Sequence, residues 1–182
     1  MMESMFRGGA LSCFLLLSLA GCEGTLPMPK EAPPVADIVG SSHAAADALI
    51  NSARAALQPG KPLIAASFVN IDDLEQAASF GRIVSEQVAS RFTQRGFGVI
   101  EMLLRHSVFI KQNGGEFLLS REVRNISSEH DAQAVIVGTY AVGRKKVYIT
   151  ARLIRASDSI VLASQDYVLP IDTDVAFMLR SR

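Results

Sequence analysis

The sequence predicts an α/β fold: a mixed sheet of about five strands with helices packed on it, in the order α-β-α-β-α-β-β-β. Two observations predict it. Over roughly the first two-thirds of the chain, stretches with apolar residues at helical spacing alternate with short apolar runs bounded by Gly and Pro. Over the last third, three β-rich runs follow one another across short connections, and short connections between strands make antiparallel hairpins. A chain of 182 residues, 49% of them hydrophobic, has enough material for one core and little for a second.

Ser41 and Ser42 are placed to cap a first helix over residues 44–57, where Leu49, Ala53, Ala56 and Leu57 recur at helical spacing before Pro59-Gly60 stops it. Residues 62–69 form a short apolar run between turn formers, as expected of a strand buried on both faces. Residues 70–73 read as a turn, with Asp72 and Asp73 capping the following helix rather than forming an acid–base pair. That helix, residues 74–95, is the clearest in the chain. Leu74, Ala77, Gly81, Val84, Val88 and Phe92 form one stripe, Glu75, Arg82, Glu86, Gln87, Arg91 and Gln94 face away, and Gly96 supplies the C-cap.

A second strand covers residues 97–100. Residues 101–113 carry no clear period, and Gly114-Gly115 makes a turn before a helix from 118 to about 129. The three-stranded meander follows over 134–141, 147–154 and 160–168, turning at Gly143-Arg144-Lys145-Lys146 and Ala156-Ser157-Asp158-Ser159. There is no internal repeat. The domain is expected over residues 38–172, with a tail at 173–182 that has room for a short helix.

The amino-terminal residues point to export. Arg7 precedes an apolar run, residues 11–20, too short to span a bilayer, which needs ~20 residues, and of the length of a signal-peptide core. It ends in Leu19-Ala20-Gly21-Cys22, which resembles the lipobox of bacterial lipoproteins: small side chains let the peptidase reach the backbone, and the thiol takes the diacylglycerol. Residues 1–21 are therefore expected to be a lipoprotein signal peptide and Cys22 the lipidated residue, carrying diacylglycerol and an acyl chain such as palmitate. Cys13 leaves with the leader, so the mature chain keeps no thiol for a disulfide or a metal. Glu23 stands where the inner-membrane retention rule asks for Asp, which favours the outer membrane. Residues 22–37, with Pro27, Pro29, Pro33 and Pro34, read as an extended tether; the fifteen from Glu23 to Asp37 reach ~45 Å at ~3 Å each.

Several strings in the domain resemble one known family. Phe80-Gly81-Arg82-Ile83-Val84-Ser85-Glu86-Gln87, Gly115-Glu116-Phe117-Leu118-Leu119-Ser120-Arg121-Glu122, and residues 134–140 followed by 147–154 are similar to the FlgO family of outer-membrane lipoproteins, over residues 61–172. The resemblance implies a non-enzymatic, periplasm-facing envelope lipoprotein in a family named for members that support the flagellum. Its strand and helix order is also similar to the amino-terminal domain of TolB, curli-secretion lipoproteins and lipoprotein activators of penicillin-binding proteins. What it implies is therefore protein partners, envelope or flagellar proteins; self-association is a further expectation for a domain that works by protein contacts.

Charge and aromatic content argue against nucleic acid as a partner: Lys plus Arg equals Asp plus Glu at 18 each, and Trp is absent. His43, His106 and His130 lie in no metal-ligand spacing. Glu129-His130-Asp131 beside Ser127 and Ser128 supplies the residue types of a hydrolase but reads as a polar helix end, because consecutive helical side chains diverge. Two stretches are left as candidate partner contacts. Arg144, Lys145 and Lys146 make a cationic hairpin tip. Residues 115–122 either present a loop, with Phe117 and Arg121, to a partner, or Phe117, Leu118 and Leu119 fill the core while Ser120 caps a helix and Glu122 stays in water.

Overall fold

The computed structural model describes residues 34–74, 78–102, 109–111, 117–119 and 121–180. The expected leader, Cys22 and most of the tether lie outside them, as do Gly114-Gly115, Ser120, His106 and the side chains of Phe117 and Arg121.

The elements run α1 Ile38–Ala53, β1 Leu63–Ala66, β2 Val69–Asn70, α2 Ser79–Gln94, β3 Val99–Met102, β4 Phe109–Lys111, β5 Phe117–Leu119, α3 Arg121–Glu129, β6 Ala134–Val142, β7 Lys146–Arg155, β8 Val161–Pro170 and α4 Thr173–Met178. The main sheet has the order β3-β1-β6-β7-β8, with β2 paired on β6. β1 is parallel to both β3 and β6, and β6, β7 and β8 form the expected antiparallel meander. The mixed α/β architecture is the one the sequence predicts, with six strands in the sheet. Its upper end is where β1, β3 and β6 finish; its lower end is where they begin.

Alternation along the central strands builds two cores. Leu63 and Ala65 of β1 and Ala134 and Ile136 of β6 join the core under α1 and α2, while Ile64, Ala66, Val135 and Val137 join the core under α3 with Val123 and Ile126. This is why β1 is apolar at every position. On β7, Val147, Ile149, Ala151 and Leu153 point into the first core.

α1 and α2 are held together by one acid and two arginines. Asp47 accepts from Arg91 Nε at 3.0 Å and Nη2 at 2.8 Å, and from Arg95 Nε at 2.7 Å. The Arg95 and Arg91 guanidiniums hold its carboxyl well below the usual carboxylate range. A carboxyl depressed in the fold stabilises it at every pH above the unfolded value, near 4, and that contribution drains away on acidification below it. Asp47→Asn is therefore expected to cost about 1 kcal/mol at pH 7, the scale of an exposed or partly covered pair. Urea titrations at pH 7 and pH 3 check this: the gap between variant and parent should narrow at the lower pH.

Three expectations about where helices begin are corrected. α1 begins at Ile38, because Asp37 accepts the Gly40 N–H at 2.8 Å and caps it; Ser42 is instead buried in the helix, 3.4 Å from the Tyr167 hydroxyl. α2 begins at Ser79, not residue 74: Asn70 accepts from Asp72 and Asp73, closing a turn, so neither aspartate caps the helix. The Ala78 N–H finds its acceptor in the Tyr140 hydroxyl. Leu74 consequently leaves the α2 stripe and packs in the α3 core. Leu118 and Leu119 are strand, not helix, because Phe117–Leu119 pairs antiparallel with Phe109–Lys111, and α3 starts at Arg121. Gly96 does end α2, at φ +89°. Beyond residue 172, α4 is capped by Asp172, buries Val175 and packs against α2.

Two of the family-like strings, residues 80–87 and 134–140, meet at one place. Phe68, fully buried between β1 and β2, donates its N–H to the Gly81 carbonyl and lays its ring over Gly138. Phe80 and Tyr140 stack edge-to-face beside it at 5.2 Å.

Candidate partner-binding surface

The β6–β7 hairpin places Arg144, Lys145 and Lys146 at the upper end of the domain. The Gly143 N–H donates to the Lys146 carbonyl at 2.8 Å, closing the turn, and all three cations are exposed. The turn is fixed rather than loose, since the Lys145 carbonyl accepts the Ile171 N–H at 2.9 Å and Lys146 pairs with Pro170.

The chain enters the domain at this same end. The Ala36 N–H donates to Asp172 Oδ2 at 2.8 Å, and Asp172 Oδ1 accepts from Val175 at 2.9 Å. Those backbone donors, Val175 first and Ala36 second, keep the Asp172 carboxyl below its ordinary range. One aspartate thus caps α4 and fastens the start of α1.

Below the turn, the sheet face opposite α1 and α2 is open over β7 and β8. Three cross-strand rows cross it: Ala141–Tyr148–Val168, Thr139–Thr150–Asp166 and Val137–Arg152–Ser164. The first row leaves Tyr148 54% and Val168 45% exposed, a wet apolar pair directly under the cationic tip. Sequence reading found the cations but not Tyr148 and Val168, whose β-pattern looked like ordinary strand.

Phe117 opens β5 and Arg121 opens α3. The side chains of both lie outside the described residues, so of the two candidate stretches the Arg144–Lys146 tip is the one whose side chains the fold places.

The serine and histidine candidates are at the lower end. Ser127 is buried, its hydroxyl donating to the Val123 carbonyl at 2.7 Å, while Ser128 and His130 are exposed. A hydroxyl committed to a backbone carbonyl offers no proton to His130. α3 ends at Glu129, Asp131 takes φ +48° and pairs with Lys61 at 2.9 Å, as a polar helix end should. Among the described residues, no three His, Cys, Asp or Glu side chains gather as a metal site, and no helix is long and apolar enough to cross a membrane.

Comparison with known proteins agrees with this architecture. The family described as FlgO protein matches residues 43–174. No curated protein matches the chain. Among solved structures, the LpoB C-terminal domain from Salmonella enterica is similar with a TM-score of 0.54 at 12% identity, over 72% of this chain and 97% of that one. The LpoB C-terminal domain from Escherichia coli gives 0.50 at 11% identity, over 75% and 99%. At such identities the likeness is one of fold.

Proposed function

The chain belongs to the FlgO protein family, and from that premise we propose that it is a periplasm-facing outer-membrane lipoprotein, lipidated at Cys22, that scaffolds or stabilises an envelope assembly, the flagellum first. It acts without catalysis. Its mechanism is positional: the lipid localises the domain, the Pro-rich tether sets its reach, and the upper end makes the protein contacts. The observation that carries this reading is the family match across the whole sheet, combined with an upper end that joins the tether, the Arg144–Lys146 tip and the exposed Tyr148–Val168 pair.

A deletion strain that still makes filaments in normal number is expected to lose motility. Unchanged motility in a flagellated host would remove the flagellar part. Within the protein, replacing Arg144, Lys145 and Lys146 together by Glu is expected to leave stability within about 0.5 kcal/mol, as for exposed positions generally. The same protein should fail to restore motility to the deletion strain, and full restoration would clear the tip of a partner role.

A second reading keeps the anchor and changes the partner: activation of a peptidoglycan synthase, or a place in a secretion pore. The architecture shared with the LpoB C-terminal domain keeps it in play. Co-purification with a synthase, rather than with flagellar basal bodies, separates the two.

A further inference from the structure

We infer that two copies of this chain join edge to edge through their β8 strands, antiparallel and centred on Gln165, so that one sheet runs through both. This deepens the self-association expected from the sequence and rests on that expectation, independently of which envelope partner the upper end meets.

β8 is ten residues long and closes the sheet path, and among the described residues no strand pairs with its outer edge. Natural edges of this length are normally guarded by lysines, prolines or bulges. Here Asp166 is the strand's single charged residue, and the guards stand at its ends: a bulge beside Val161 and Pro170 at the close. Between them, residues 163–169 are regular. Exposed large apolar side chains gather along the strand, with Val161 at 48% and Val168 at 45%, Ile160 at 52% just before it, and Tyr148 opposite Val168.

The strand is complementary to itself. A two-fold axis normal to the sheet at Gln165 keeps every side chain on its own face, and it sets Ala163 opposite Tyr167 and the Ser164 hydroxyl opposite the Asp166 carboxylate. Val168 then meets the apolar Val161-Leu162 bulge. Other registers are worse: centring on Asp166 puts that carboxylate against its own copy, and centring on Ser164 puts it against Leu162.

The helix above leaves room. α1 lies over β8, with Ser42 near Tyr167, and keeps α2 on one flank through Asp47 and Arg91. At 100° per residue, its other flank reads Ser41, Ala48 and Ser52, small enough for a second α1 to lie alongside. Anchoring also permits the pair. Centring on Gln165 puts the two Pro170 ends ~33 Å apart and the entrances beside Asp172 somewhat farther, a span that two tethers of ~45 Å reach each can bridge, so both lipids fit one membrane.

Gln165→Cys in the full-length chain, oxidised in its membrane, tests this. Residues directly opposite on antiparallel strands have Cα atoms about 5 Å apart, within disulfide range. A covalent dimer that reducing agent dissolves is expected, against none for the parent chain or for Glu129→Cys on α3. Adding Val168→Lys, at an exposed position, should cut the cross-linked fraction at least tenfold. The purified detergent-solubilised chain should sediment as two copies, and as one with Val168→Lys. Monomer mass together with no cross-link overturns the proposal, as does cross-linking to a different protein alone or preferential cross-linking through Asp166→Cys. Because purified protein reports the pairing without a flagellum, a monomer here leaves the flagellar reading standing, and lost motility leaves the pairing standing.

Discussion

A Gly138→Ala protein is expected to unfold about 10 °C below its parent. Gly138 sits in the middle of β6, paired with Ala151 on one side of the strand, and a methyl there would overlap the Phe68 ring. The ring has nowhere to go: Phe68 is fully buried, and its backbone is tied to the Gly81 carbonyl. Forcing a carbon into such a site typically costs 1–3 kcal/mol, and a cost of about 3 kcal/mol lowers the midpoint of a domain this size by about 10 °C. Gly81→Ala should cost as much by another route, because its methyl would strike the Phe68 carbonyl, which cannot change rotamer. The double variant Gly138→Ala with Phe68→Leu discriminates. Shortening the ring makes space for the methyl, so the two changes together should be less harmful than their sum, whereas strict additivity in a thermal melt would mean that the contact is not the cause.

The contact with Phe68 also accounts for two of the family-like strings. Phe80-Gly81 and the run from Ala134 to Tyr140 are far apart in the chain, and the sequence shows them only as familiar strings; in the fold they are the two walls around Phe68. Periodicity made the rest of the architecture legible. An unbroken apolar β1 signals burial on both faces, and short polar turns fix the order of β6, β7 and β8, because neither inference needs to know what lies across the sheet.

What stayed illegible depended on contacts distant in sequence. Asp37 and Ser42 are both good N-cap residues, and only the burial of Ser42 against Tyr167 decides between them. Leu74 stands ten residues before Val84, a spacing that fits a helical stripe, yet the Asn70 turn throws it to the opposite core. Phe117–Leu119 has the residues of a helix start or of a strand, and β4 decides. For the site, a hairpin tip at Arg144–Lys146 follows from spacing alone, but its place beside the start of α1 follows from the Asp172 bridge to Ala36, a link across 136 positions.

A Cys22→Ser chain is expected to lose all palmitate label while its domain melts where the parent does. The two halves of that expectation have different causes. Among the described residues the first to pack against either core is Ala36, well after the sulfur in the chain, so the packing those residues make is expected to stand without it. The sulfur, by contrast, is the one atom in Leu19-Ala20-Gly21-Cys22 that can form the thioether, and a serine oxygen of nearly the same size does not replace it. Each methylene buried in the bilayer is worth ~0.8 kcal/mol and stable anchoring takes two chains, so a diacylglyceryl group holds the domain where a bare chain would not. The positional mechanism then has nothing to position, and the variant should restore no motility to a deletion strain despite a folded domain. Label is the decisive readout, because a leader left uncut would itself carry the protein into detergent. Palmitate on Cys22→Ser, or none on the parent, would remove the anchor and with it the reading of the upper end as the membrane-tethered one.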